Sequence, residues 1–153
     1  MLFRSKDIAR FKLYVNQKVP IPNPLIMIGR RHVRSNNSWM HNSLRLVKGK
    51  PRDQLMMHPA DLASRGLKDG QRVRVVSRVG QVEIAVQATD SLMPGVVSLP
   101  HGFGHDRKGT RLGVAHEHAG VSYNDLSDAG DIDVISGNAA LNGIAVEVTH
   151  AST

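Results

Sequence analysis

No cysteine occurs in these 153 residues. Disulfides, thiolate metal sites and any iron–sulfur cluster held in the usual way by this chain are therefore excluded, and the composition fits a reducing, cytoplasmic compartment. Aromatic residues are scarce: one tryptophan, two tyrosines and three phenylalanines. That leaves little for the stacking platform with which single-stranded nucleic acid is held, and it argues against a nucleic-acid partner. No run approaches the roughly 20 apolar residues needed to span a bilayer. The start, MLFRSKDIARFKLYV, is charged and broken where a signal peptide would be apolar. A soluble chain, or a soluble piece of one with no membrane segment, is expected. G-x-G-x-x-G, G-x-x-x-x-G-K-[ST] and G-x-S-x-G are all missing, and so is any Gly-Ser dipeptide. With no evident nucleophile–base pair, the sequence reads as a binder lacking a complete active site of its own.

What is present is lopsided. Residues 1–78 hold 17 Lys and Arg against four acids, and residues 79–153 hold three against nine, within a net charge of +7. The basic half suits an anionic partner, or a docking face that meets an acidic neighbour. Within it, RRHVRSNNSWMHNSL (30–44) surrounds the single tryptophan with cations, imidazoles, amides and hydroxyls. Buried amides and hydroxyls each need a partner, so a hydrophobic core does not accept such a stretch. Asn and Ser can cap turns locally, but six of them within residues 35–43 exceed what a turn requires. The mix suits a flat, polar, anionic ligand, with Arg30, Arg31 and Arg34 able to fork onto phosphate oxygens.

The rest of the chain alternates short strands with polar loops. Residues 1–24 form a basic arm or linker ending in VPIPNP, whose prolines forbid a central strand. LIMIG (25–29) reads as a buried strand ended by Gly29. HPADLASRGL (58–67) carries helix signals: Pro59 in the first turn, Asp61 near the positive end, Leu62 and Ala63 facing inward, and Gly66 as a left-handed stop. Asp69-Gly70 is a turn. QRVRVVS (71–77) and QVEIAVQA (81–88) alternate as strands, the second with Val82, Ile84, Val86 and Ala88 on one face. Met93-Pro94-Gly95-Val96 has the Pro-Gly pair of a type II turn, followed by the strand VVSLP. Residues 101–143 look like loops, GIAVEVT (143–149) closes as a strand, and 150–153 are a tail. Together these predict a mainly β barrel with one or two short helices and long polar loops.

Two further clusters carry chemistry. PHGFGHD (100–106) sets His101 and His105 around glycines that allow close approach to a ligand, and HEH (116–118) adds imidazoles, though no metal-binding helix pattern accompanies them. SYNDLSD and SGNAALNG (122–128 and 136–143) either form Asx-turns or let Asn124 or Asn138 read the edge of a heterocycle. Spacing does not choose between these.

The succession GRRHVRSNNSWMHN, LMMHPADLASRGLKDGQRVRVVSRVGQVEIAVQATDSLMPGVVSLPHGFGH, VSYNDLSD and SGNAALNGIAVEV resembles one family over residues 25–149. It is similar to the C-terminal molybdopterin-guanine-dinucleotide-binding domain of the molybdopterin oxidoreductases, the formate dehydrogenase and dimethyl sulfoxide reductase group. The resemblance implies a double-psi β-barrel that closes over molybdopterin guanine dinucleotide carrying molybdenum or tungsten, a cofactor shared with other domains or subunits that this chain does not contain. It implies cofactor contacts from Arg31, His32, Ser35, Asn36, Asn37 and Ser38, a pocket shaped by Trp39, His41 and Asn42, and pterin-side contacts from His101, Gly102, Phe103 and Asn124. No catalytic residue and no protein metal ligand follow from it. The other readings are a stand-alone double-psi barrel that binds nucleic acid or a protein partner.

Overall fold

The computed structural model describes residue 21, residues 23–133 and residues 135–151. The expected arm at 1–24 falls almost wholly outside them. Six strands close into a barrel: β1 Leu25–Arg30, β2 Leu55–Met57, β3 Arg72–Val76, β4 Gln81–Ala88, β5 Val96–Pro100 and β6 Ile144–His150. Around it the order is β1-β5-β2-β4-β3-β6, with β6 pairing back onto β1. Two pairs are parallel, β1 with β5 and β2 with β4; the remaining four are antiparallel. This is the mainly β, closed barrel that the alternating sequence pattern predicts.

Period-two alternation fills the interior. Val73 and Val75, Val82, Ile84 and Val86, and Val146 and Val148 all point inward, where Leu25, Met27, Leu55, Met57, Val97 and Leu99 meet them. Tyr123 and Leu126, from a 3-10 turn at Tyr123–Asp125, plug the same core. Ala88 packs against its margin only in part. Three short helices lie outside the barrel: α1 Leu44–Val47, α2 Pro59–Ser64 and α3 Gly113–Glu117. One or two were expected.

The helix signal at 58–67 resolves into α2 and its caps. The His58 ring accepts from the Ala60 amide, Pro59 opens the first turn, and Gly66 takes φ +66°. Leu62 is buried but Ala63 is exposed, because consecutive helical residues point about 100° apart and this helix touches the barrel along one line only. The Asp61 carboxylate accepts from the Gly95 amide at 2.7 Å, tying α2 to the turn before β5, where Gly95 takes φ +85°.

β1 runs one residue past Gly29, since Arg30 still pairs with Pro100. Gly29 is there for space. A Cβ at that position would lie 2.0 Å from Nε2 of His101. β3 is shorter than expected by a residue at each end, and β6 is shifted one residue later.

Leu99 has no exposed surface and sits in the middle of the core. Leu99→Ala is expected to lower stability by about 2–5 kcal/mol, read from chemical denaturation midpoints at unchanged denaturant slope.

Candidate functional site

Strand direction decides where the polar loops meet. Because β1 and β5 run parallel with Gly29 opposite Leu99 and Arg30 opposite Pro100, the loops that follow them leave one end of the barrel side by side. β2 runs antiparallel to β5, so residues 51–54 enter the barrel at that same end. Arg30 stitches the three together: its guanidinium donates to the carbonyls of Ser98, Gln54 and, at 3.3 Å, Arg52. Burial lowers its pKa to about 10, opposed by nearby Asp53, so it stays charged at neutral pH. Arg52 in turn donates to the carbonyls of Leu46 and Val47 at 2.7 and 3.0 Å, the groups left without partners at the end of α1. Arg34 reaches the Arg45 carbonyl at 2.9 Å.

The loop after β1 is a run of tight turns. Asn36 and Asn37 take φ of +41° and +62°, a left-handed conformation that asparagine tolerates better than most residues. The Asn36 amide returns to the His32 carbonyl, and the Met40 amide to that of Ser35. Against this loop lies Gly102, at φ +90°; a Cβ there would come 2.2 Å from the Asn37 carbonyl oxygen. His101 is 8% exposed, wedged between the Gly29 backbone and the Tyr123 ring, whose centroid is 4.0 Å away. The Tyr123 hydroxyl donates to the Leu141 carbonyl, and burial pushes its pKa up to about 12.

His41, 2% exposed, bridges the two loops through a 2.8 Å hydrogen bond between its Nδ1 and Nε2 of His105, with Phe103 against its face at 4.3 Å. Burial lowers the pKa of His41, helped by His105 and Arg52 and opposed by the Gly102 backbone. Burial and then Arg31 lower that of His101.

Between these walls lies a cavity of about 510 Å³. Five of the thirteen residues expected at the site line it: His32, Ser35, His41, His101 and Phe103. The other eight do not. Gly102 and Asn37 form the seam between the loops, and Asn42 accepts from the Ala115 amide at 3.3 Å, holding α3. Ser38 is half-buried, while Arg31, Asn36 and Asn124 are exposed. Trp39 stands 82% exposed. Asn124 belongs to the 3-10 turn that abuts the histidine loop through Ser122, whose Cβ lies 2.6 Å from where a Gly104 Cβ would be.

The cavity's own cations are Arg30, Arg34, Lys48 and Arg52, against the carboxylates Asp53 and Glu117. Lys48 and Arg52 come from KGKPRD, a basic turn legible as charge but tied to no motif. Residues 117–120 complete the wall, so the HEH stretch contributes Glu117 and His118. Among the described residues, no group of three or more His, Cys, Asp or Glu is arranged to hold a metal ion.

This donor set fits a dinucleotide. A diphosphate takes guanidinium and ammonium donors, a fused heterocycle takes imidazole and backbone edges, and Phe103 supplies an apolar face. A barrel whose parallel strands deliver two polar loops to one cationic cavity defines a binding domain for an extended anionic ligand.

Comparison with known proteins agrees and is more specific. Residues 25–145 match the family model described as Molydopterin dinucleotide binding domain, and the chain belongs to that family. A tetrathionate reductase polypeptide of Salmonella typhimurium is 31% identical over 121 residues, covering 68% of this chain and 12% of that protein. Trimethylamine-N-oxide reductase of Haemophilus influenzae is 37% identical over 76 residues, 49% of this chain and 9% of its own length. The molybdopterin-containing polypeptide of the arsenate respiratory reductase of Chrysiogenes arsenatis is 29% identical over 121 residues, 76% of this chain and 14% of its length. The chain thus spans about an eighth of the length of such relatives. Among solved structures, acetylene hydratase from Pelobacter acetylenicus shares the fold, with a TM-score of 0.70 at 19% identity over 95% of this chain and 20% of its own.

Two outcomes are expected from this geometry. Gly102→Ala adds a clash to an unfavourable φ, whereas Gly109→Ala, at φ +95° with nothing within 4 Å, adds only the φ cost of roughly 1–3 kcal/mol. Denaturation should therefore find the first variant less stable than the second. The second outcome concerns pH. Where burial depresses a histidine's pKa, the unfolded chain binds more protons, so stability falls as pH drops below the ordinary value of 6.5. Denaturation midpoints should decline between pH 7 and pH 5, with a shallower slope in His41→Asn and His101→Asn.

Proposed function

We propose that this barrel forms one wall of the site for molybdopterin guanine dinucleotide in a molybdenum or tungsten oxidoreductase, the opposite wall coming from domains or subunits beyond this chain. The observation that carries the reading is the cavity where four cations face two carboxylates, built within the stretch that matches the family. When bound, the cofactor supplies redox chemistry at its metal. The residues here bind and orient. Arg34 and Lys48 receive the diphosphate, and His32, His41 and His101 present ring edges to the heterocycle. Phe103 keeps water from one face, and the Asn37–Gly102 seam holds the two loops in register. The resemblance in sequence extends to formate dehydrogenases, but the relatives named above are reductases of tetrathionate, an N-oxide and arsenate. We therefore favour reduction of a small oxidised substrate over formate oxidation.

The test is a titration of this chain with cofactor released from a molybdoenzyme, followed by pterin fluorescence at low and moderate salt. Arg34→Ala and Lys48→Ala should each weaken binding about tenfold or more, the loss of a charge-assisted hydrogen bond worth roughly 1.5–3 kcal/mol. Added salt should weaken it further. Val79→Ala, at the exposed β3–β4 turn, should bind as the parent does. Equal affinity across all four proteins would place the cofactor elsewhere.

A further inference from the structure

The ladder between β1 and β6 stops short of the cavity end. Leu25 faces Val146, Ile26 faces Ala145 and Met27 faces Ile144, so the same register carried on would set Gly29 opposite Asn142. Instead Gly143 takes φ +80°, a conformation open to glycine, and its amide returns to the Met27 carbonyl at 3.0 Å. Regular pairing ends there, and the Gly29 amide passes to a side chain: it donates to Oδ1 of Asn142 at 2.8 Å. One residue earlier, the Leu141 carbonyl accepts from the Tyr123 hydroxyl. The segment SGNAALNG thus spends its last polar residue on the end of β1, and Asn142 itself lines no part of the cavity.

Gly29 and Tyr123 are the walls of the slot that holds His101. A Cβ on Gly29 would lie 2.0 Å from Nε2 of that ring and 2.5 Å from its Cδ2, and the Tyr123 ring centroid is 4.0 Å away, inclined at 32°. Among the described residues neither ring nitrogen of His101 has a hydrogen-bond partner, so packing sets the direction of the ring. Contacts this close carry a displacement of either wall to the imidazole, because a packed interior leaves no slack. We infer that Asn142 is a positioning residue for His101: acting through Gly29, and seconded by the Leu141 carbonyl acting through Tyr123, it fixes where that imidazole points in the cavity. The use of the ring by a ligand rests on the function proposed above; its placement by Asn142 does not.

Proton NMR of the full 153-residue chain tests the placement with no ligand present. In the parent, the His101 ring protons should give cross-peaks to the Gly29 α-protons and to the Tyr123 ring. Asn142→Ala should lose the Gly29 cross-peaks, while those between the His41 and Phe103 rings, 4.3 Å apart, persist. Asn142→Asp keeps an acceptor oxygen at the same reach and should retain the parent pattern. Asn142→Ser, too short to reach the amide, repeats the loss in a second variant should the alanine form fail to fold. Unchanged His101 cross-peaks in Asn142→Ala and Asn142→Ser overturn the inference, and so does an equal loss at His41, which marks a general loosening of the loops. Loss in Asn142→Asp as well overturns it too, since the acceptor is then not what matters. Pterin fluorescence with cofactor released from a molybdoenzyme reads the ligand separately. Asn142→Ala should bind it about threefold more weakly or worse, the loss of one well-aimed hydrogen bond, with pyrophosphate affinity unchanged. His101 displaced with pterin affinity intact keeps the positioning role and removes His101 from the cofactor contacts. His101 unmoved with pterin bound removes the positioning role and leaves the proposed function standing.

Discussion

A single guanidinium organises the cavity end of this barrel. Arg30 gives its N–H groups to carbonyls of β5 and of the segment entering β2, positions separated by 68 and 24 residues from it in sequence. A buried cation is costly without partners, and here the partners are main-chain carbonyl oxygens. The effect propagates. Arg52, whose own carbonyl accepts from Arg30, closes the end of α1, and Arg34 donates to the Arg45 carbonyl in that same helix. The basic character of the first half of the chain is thus partly architectural: some of its arginines are committed to carbonyls that build the cavity, and their charge faces the cavity as a by-product.

Glycine does the complementary work. At Gly29 it leaves room for an imidazole on the backbone, and at Gly102 it lets two loops touch through a carbonyl. Both contacts join the strand ends of β1 and β5, whose parallel pairing a hairpin cannot produce. The crossing connections of the barrel are therefore what turn two distant polar segments into one surface.

This explains which features were legible in advance. Strands with clean alternation, such as Gln81–Ala88, and turns with dedicated residues, such as Pro94-Gly95, are local properties and stood out in the sequence. The polar loops at 31–42 and 101–105 were conspicuous by composition. Their individual residues were not so easily sorted, because alternate side chains of a loop face opposite ways. His32 and Ser35 line the cavity, whereas Asn36 and Trp39 from the same block look out. Lys48, Arg52, Ala119 and Gly120 belong to no motif, and only the antiparallel entry of β2 and the fold-back after α3 bring them to the rim beside Glu117 and His118 of the HEH stretch. Gly29 reads as a strand stop in the sequence, since its neighbour in space, His101, is 72 positions away along the chain.

The pairing of β6 with β1 fixes where the two outer ends of the barrel lie. Leu25, opposite Val146, begins β1 at the end of the barrel remote from the cavity, and β6 finishes at His150 on that same remote side. Both outer strand ends therefore sit at the base, like the hinge of a cap, away from the mouth of the cavity.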